Sequence, residues 1–300
     1  MYLEHFGLNE LPFTLTPNTN FFLGLTSHNE ALAVLITALK SGEGFIKVIG
    51  EVGTGKTLIC RKLLNEIPDN FVTAYIPNPY LKPDELRRAL AIELGVKQAQ
   101  RMPLQLLTER IQQKLIDFHQ EDRSVVLILD EAQALPEDSL EALRLFTNIE
   151  TETKKLLQVV LFAQPELDER LSQTNFRQLR QRITFSYTLK SMTHQEVQRY
   201  IEHRLCMAGY KGAALFNAQL CKKISKATLG IPRLVNILCH KMLMLTYGQG
   251  HYCIDTQHLK AAIKDTEETH LSSIKLHWLY SGILILTLLA IAYTYVEFTG

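Results

Sequence analysis

The sequence predicts an α/β protein: a parallel five-stranded sheet, an all-helical lid behind it and one C-terminal transmembrane helix. Short apolar runs alternate with helical periodicity as far as about residue 190, the pattern of strands and crossover helices. Beyond that point strand patterns stop and four helical stretches follow. Near the end, Leu276–Val296 carries no formal charge over 21 residues, as a segment solvated by lipid requires.

Residues 1–27 read as a loop-like N-terminal segment, with Pro12, Pro17, Asn18 and Asn20 among aromatics. His28–Lys40 has helical spacing. Gly44–Gly50 is a short apolar strand, followed by a Gly-rich turn and a helix over Lys56–Ile67. Phe71–Ile76 is the second strand, and Pro83–Leu94 and Leu104–His119 read as helices. Val125–Leu129 is continuously apolar, as in a strand covered on both faces. A helix from about Ser139 precedes a fourth apolar run, Leu156–Ala163, and Arg182–Leu189 is the fifth strand. Residues 28–190 thus form one α/β domain, with strands made parallel by their helical crossovers. Residues 191–270 form the lid, with helices near 193–207, 217–228, 232–246 and 256–267. Residues 277–297 form the membrane helix.

Charge sets limits on partners. The 300 residues hold 32 Lys plus Arg against 31 Asp plus Glu, a net charge of +1. That balance opposes a polybasic nucleic-acid binder and an acidic disordered chain; Arg87-Arg88 and Lys222-Lys223 read as solvated faces. Five cysteines form no CxxC pair, so they read as free thiols of a reducing compartment. The start, MYLEHFGLNELPF, has neither a basic nor an apolar signal region, which places the body of the protein in the cytoplasm.

One segment carries chemistry by its spacing. Gly50-Glu51-Val52-Gly53-Thr54-Gly55-Lys56-Thr57 fits G-x-x-x-x-G-K-[ST] between a predicted strand and a predicted helix. The glycines let backbone N–H groups face phosphate oxygens, and the helix start, through Leu58, adds a partial positive charge. Lys56 is expected to reach the β- and γ-phosphates of ATP, and the Thr57 hydroxyl to bind Mg²⁺. Asp130-Glu131 ends the apolar run at 125–129, at the carboxyl edge of the sheet. Asp130 is expected to hold Mg²⁺ through water and Glu131 to polarise the attacking water.

Other positions leave alternatives open. Gln164 ends the fourth run and is either a water-orienting group or an ordinary strand end; Asn148 is a weaker candidate. Arg177, Arg180 and Arg182 precede the fifth strand, as arginine fingers for a neighbouring subunit or as surface ion pairs. Gly230-Ile231-Pro232-Arg233 opens a lid helix, where proline is favoured; Arg233 either reaches back to ATP or simply starts the helix.

Together these pieces resemble the AAA+ ATPases over about residues 28–268. The matching parts are Walker A (50–57), Walker B (Leu127–Glu131), a sensor-1-like Gln164, an arginine-rich finger region and a sensor-2-like Gly-x-Pro-Arg at 230–233. More narrowly, Tyr2–Leu8, Pro12-Phe13, Asp130–Gln133, Leu143–Asn148, Gln164–Leu167 and Leu179–Ile183 resemble the ExeA/GspA group of general secretion ATPases. Gly44–Val48 with Cys60–Leu64 brings the chain nearest the MSHA type IV pilus biogenesis branch. The resemblance implies a P-loop AAA+ sheet with a helical lid, ATP at their junction, and a ring of identical subunits sharing arginines. It also implies an N-terminal segment near the adenine, with Phe6, Leu8 and Phe13 as candidates there or in the core. Longer members continue past the membrane helix into a peptidoglycan-binding domain; this sequence runs to Gly300, so cell-wall binding is not expected of it.

The tail completes the expectation. Leu279–Val296 spans 18 residues, roughly 27 Å as a helix, enough for a bilayer core. Trp278 and Tyr280 at one end, and Tyr293 and Tyr295 near the other, resemble interfacial belts. Lys275 and His277 precede the segment and Glu297 follows it, favouring a cytoplasmic body. The expected protein is an inner-membrane ATPase with a single-pass anchor, partnered by itself, the bilayer and pilus or secretion assembly proteins. No nucleic acid is expected. The competing reading is an ATP-dependent nucleic-acid regulator of the transposition type, which shares a similar core.

Overall fold

The computed structural model describes residues 2–147, 149, 155–267 and 269. Five strands form one parallel sheet: β1 (Phe45–Ile49), β2 (Phe71–Ile76), β3 (Ser124–Leu129), β4 (Leu157–Ala163) and β5 (Ile183–Thr188). Their order is β2-β3-β4-β1-β5, with Phe45 opposite Val159 and Val125 opposite Leu157. The continuous apolar runs take interior places: β4 is buried at every position and β3 at all but its first. Strand β5 alternates Ile, Thr, Phe, Ser, Tyr, Thr and takes an edge, where polar side chains discourage further pairing.

Alternation along the strands feeds two cores. Val125, Leu127 and Leu129 face one side and pack against α4 (Pro83–Glu93), α5 (Leu104–Gln120) and α6 (Glu137–Phe146). Val126 and Ile128 face the other, against α2 (Thr26–Lys40) and α3 (Lys56–Glu66). Leu127 is fully buried, so truncation to alanine would cost about 2–5 kcal/mol.

Two short helices, α7 (Glu166–Leu171) and α8 (Arg177–Arg182), lie between β4 and β5 where the sequence gives no helical period. They are too short for propensity to hold them. Leu167, Leu171 and Leu179 dock them onto the sheet core instead.

The lid comprises α9 (His194–Met207), α10 (Ala218–Thr228), α11 (Pro232–Gly248) and α12 (Thr256–Lys264). Its starts carry local signals. The Thr193 hydroxyl accepts the Glu196 N–H while Glu196 bonds back to Thr193, and Asn217 accepts the Leu220 N–H. Such caps contribute about 1 kcal/mol each.

The N-terminal segment departs from the loop-like expectation. Tyr2–Phe6 forms a helix, α1, and Tyr2, Phe6, Leu8, Phe13 and Phe21 are part of the lid core. A five-residue helix cannot stand alone; this one is held by its buried aromatics and by a 2.9 Å hydrogen bond between the Tyr2 hydroxyl and His240 Nδ1. Burial pushes the Tyr2 phenol up to about 12.

Among the described residues no helix is long and apolar enough to cross a membrane. The segment expected to do so, 277–297, lies outside them, as does Asn148.

Candidate functional site

The strand order brings the candidate residues to one edge of the sheet. β4 lies between β1 and β3, so Gln164 at its tip falls between the loop after β1 and the Asp130-Glu131 pair after β3.

The loop 50–55 is a tight wrap. Gly53 and Gly55 sit at φ +81° and +100°, conformations that cost an L side chain about 1–2 kcal/mol. The Gly50 N–H donates to Ala163 O at 3.1 Å, and the Thr54 hydroxyl donates to Glu51 O at 2.8 Å. Helix α3 starts at Lys56 with no side-chain cap, so its first N–H groups are available to an anion.

Lys56 is only 5% exposed and donates to Gly50 O at 2.7 Å and Glu51 O at 3.0 Å. Burial lowers its pKa, while Glu131 and Asp130 pull it back up. Asp130 is buried and accepts the Glu131 N–H at 3.0 Å. Burial raises its pKa; the Thr57 hydroxyl and the Glu131 N–H act the other way. A buried ammonium held by two neutral carbonyls and a buried carboxylate lie at one edge of the sheet, where a phosphate with a hard cation would supply opposite charges. Thr57 and Asp130 are oxygen donors suited to Mg²⁺. Among the described residues there is no cluster of three or more His, Cys, Asp or Glu, so such an ion would take its remaining ligands from phosphate and water.

A cavity of about 380 Å³ opens over this loop, lined by Val52, Gly53, Gly55, Lys56, Thr57 and Leu58. Glu131 and Gln164 face it from the sheet, and Arg233 from the lid. Gly50, Glu51 and Thr54 stand behind the loop, and Asp130 is covered beneath Glu131 rather than lining the cavity. The lid touches the loop directly. The Arg233 N–H donates to Gly53 O at 3.2 Å, and a Cβ on Gly53 would fall 2.5 Å from the Arg233 Cβ. A wider hollow of about 530 Å³ lies beside Arg61 and Asn65 and shares residues 14 and 16–18 with the cavity. Neither the paired carboxylates nor the glycine loop faces it, so the candidate groups gather at the smaller cavity.

Arg180 and Arg182 are not brought to this cavity. Arg180 is exposed and donates to Ser172 O at 3.2 Å; Arg182 donates to Arg144 O at 3.1 Å and to the Thr147 hydroxyl at 3.0 Å. Phe6, Leu8 and Phe13 are also absent from it, buried instead in the lid core. The far wall is a strap, residues 14–25, with Phe21 and Leu25. The resemblance implies an N-terminal segment at this place but through Phe6, Leu8 and Phe13 rather than this strap, and sequence reasoning missed His28, Tyr200, Arg204 and Asn236. His28 Nε2 bonds to Thr54 O at 2.9 Å and its ring stacks on Phe22. The bond fixes Nε2–H as the donor, and burial lowers the ring's pKa. The missed residues lie on α2, α9 and α11, where they read as ordinary helical positions.

Comparison with known proteins agrees with this geometry. Residues 39–171 match the family model described as an AAA domain. The chain is 41% identical over 254 residues to General secretion pathway protein A of Aeromonas hydrophila, across 85% of this chain and 46% of that protein. The chain therefore spans about half the length of this relative. Its fold is similar to the Aeropyrum pernix ORC2 protein solved as ADPNP-ADP complexes (17% identity, TM-score 0.59, 86% of this chain, 70% of that one). It is also similar to the Aeropyrum pernix ORC1 protein solved in complex with DNA (17% identity, TM-score 0.59, 84% and 68%). The chain thus carries an AAA domain on an α/β P-loop fold and is related to General secretion pathway protein A.

Proposed function

We propose that this relative of General secretion pathway protein A is a Mg²⁺-dependent ATPase, anchored in the bacterial inner membrane and serving a secretion or MSHA type IV pilus machine. One observation carries the catalytic part. The glycine loop, Lys56, Thr57, Glu131, Gln164 and the lid residue Arg233 surround a single cavity, with Asp130 directly behind. ATP is the substrate, with its phosphates on the loop and its base toward the strap.

Each side chain then has a task. Lys56 exchanges its two loop carbonyls for phosphate oxygens and offsets their charge. Thr57 and Asp130 would hold Mg²⁺, which when bound would neutralise charge developing on the phosphates. Glu131 accepts the proton of the attacking water, and Gln164 fixes the carboxylate that does so. Arg233 brings the lid to the phosphates. Arg180 and Arg182 lie outside their own cavity, as fingers acting on a neighbouring subunit in a ring would. The uncharged tail supports the anchor, and the relationship to a secretion-pathway protein supports the assembly role.

The test is steady-state hydrolysis by the full chain with Mg²⁺. Glu131→Gln should lower turnover by about 10²–10⁴-fold with ATP still bound, and Lys56→Ala should lose both. Full activity in both variants refutes the assignment.

A second reading, an ATP-dependent nucleic-acid regulator, is favoured by one observation: a protein of similar fold was solved with DNA. Salt-dependent DNA binding at physiological ionic strength, with no membrane fractionation, would put it first.

A further inference from the structure

We propose that Gln133 is a positioning residue for Glu131, holding its carboxylate ready for the attacking water; this rests on the ATPase reading above. Three hydrogen bonds carry the proposal. Gln133 Nε2 donates to Glu131 Oε2, and Gln164 Nε2 donates to the same oxygen at 3.0 Å. Gln133 Oε1 accepts the backbone N–H of Gln164 at 3.1 Å. That last bond settles which end of the Gln133 amide faces the carboxylate, because its oxygen is committed to an N–H. Two amide donors converge on Oε2, and Glu131 Oε1 has no protein donor among the described residues. Among the described residues the carboxylate is therefore held at one oxygen, which leaves the other to accept a proton.

The backbone is built to place Gln133 there. Glu131 sits at φ +54°, a left-handed conformation rare for a residue with a side chain. It turns the chain out of β3 into one turn of 3₁₀-helix, Ala132–Ala134, with Ala132 fully buried beneath. The turn brings the Gln133 side chain back over the residue that starts it. Arg170 on α7 fastens it from outside, donating to Gln133 O at 2.7 Å and Leu135 O at 2.8 Å. Glu131 and Gln164 line the cavity and Gln133 does not. Gln133 therefore has no contact through which to bind substrate, and its effect on the reaction passes through Glu131.

Two substitutions separate the halves of this residue. Gln133→Met removes both bonds at similar volume. Gln133→Glu keeps an acceptor for the Gln164 N–H but loses the donor to Glu131 and sets a like charge beside it. In the full chain, kcat for ATP hydrolysis should fall about tenfold to a hundredfold in both variants, as for other supporting groups behind a reacting one. The Kd for a fluorescent ATP analogue should stay within about twofold of the wild type, the split expected of an interaction used only in the transition state. Wild-type kcat in Gln133→Glu with loss in Gln133→Met would mean that the residue serves only the Gln164 backbone, overturning the proposal. Wild-type kcat in both variants, or a Kd that rises in step with the lost kcat, overturns it as well. Should the Met variant fail to fold, the near-isosteric Glu variant decides alone. A wild-type protein that binds the analogue and hydrolyses nothing refutes the ATPase reading, and this role with it. Active wild type, inactive Glu131→Gln and unaffected Gln133 variants refute this role only.

Discussion

A methyl group on Gly53 tests whether the lid reads the phosphate loop by direct contact. Gly53 stands at φ +81°, and a Cβ there would lie 2.5 Å from the Arg233 Cβ. Carbon atoms settle at about 3.5–4.0 Å, so the start of α11 must retreat by about an ångström. That movement stretches the 3.2 Å bond from the Arg233 N–H to Gly53 O, worth about 0.5–1.5 kcal/mol. The left-handed backbone adds about 1–2 kcal/mol. Gly95→Ala separates the two effects, because Gly95 has φ +76° with no atom within 4 Å of its Cβ position. It carries the backbone cost alone, far from the cavity lining. At about 2–4 °C per kcal/mol, Gly95→Ala should melt about 2–8 °C lower and Gly53→Ala about 3–14 °C lower. The deciding measurement is ATP affinity by titration calorimetry. Gly95→Ala should bind as the wild type does, and Gly53→Ala should bind at least about tenfold more weakly, the equivalent of about 1.4 kcal/mol. Wild-type affinity in Gly53→Ala, with a melting drop no larger than that of Gly95→Ala, would refute the direct contact.

Other outcomes follow from placement and burial. Arg182→Ala should lower turnover without loss of ATP binding, and mixing it with Glu131→Gln should restore some shared sites; failure of every mixture argues against a finger acting between subunits. A thiol reagent at pH 8 should label Cys206 and Cys253, which are exposed, before Cys60, Cys221 and Cys239, which are buried. Burial pushes Cys221 up to about 11 and the other two further, so rapid labelling of a third thiol in the native protein would contradict the structure. Burial holds His28, His203 and His240 below their ordinary values. The unfolded chain therefore takes up protons first, near pH 6.5. The stability these rings contribute is present above that pH and lost as pH falls through it toward their folded values. Melting that is flat or rising from pH 7 to pH 5.5 in Phe-substituted variants, against a fall in the wild type, would confirm the assignment.

What the sequence revealed followed the strength of its local signals. β3 and β4 read almost to the residue, because a strand covered on both faces leaves no polar position to blur its ends. α9 and α10 start within a residue of expectation, since Thr193 and Asn217 are caps with a side-chain bond to show for it. α2 begins two residues earlier than its spacing implied, at Thr26, behind Leu25, which makes no side-chain cap. The phosphate loop was legible because glycine conformations and one lysine must occur in fixed order. Which residues of the N-terminal segment form the strap was not legible. Its wall of the cavity is made by Thr14, Phe21 and Leu25 against Tyr200, Arg204 and Asn236, pairs about two hundred residues apart that leave no local period. Gln133 was visible only as part of a motif; its role needs the left-handed turn at Glu131, which no residue preference announces.

One buried cation ties the strap to the lid. Arg204 is 7% exposed and has no carboxylate partner among the described residues. Its guanidinium donates to Pro12 O and, at 3.0 Å, to the Tyr200 hydroxyl, and it lies over the Phe21 ring at 4.8 Å. Tyr200 passes the chain on to Asn236 at 3.1 Å, and Asn236 returns to Thr14 O at 3.2 Å. Separating the N-terminal segment from the lid would strip Arg204 of Pro12 O, the Thr14 hydroxyl and the Phe21 ring, and leave it the Tyr200 hydroxyl of its own helix. The strap is therefore fastened to both α9 and α11. Against the sheet domain the joints include Arg61 to Pro17 O at 2.8 Å, the Arg233 N–H to Gly53 O at 3.2 Å, and Phe22 packed on His28 and the core beneath it. Within the lid the packing is closer: the Met192 N–H donates to Gly230 O at 2.9 Å, and a Cβ on Gly230 would meet Met192 O at 2.1 Å.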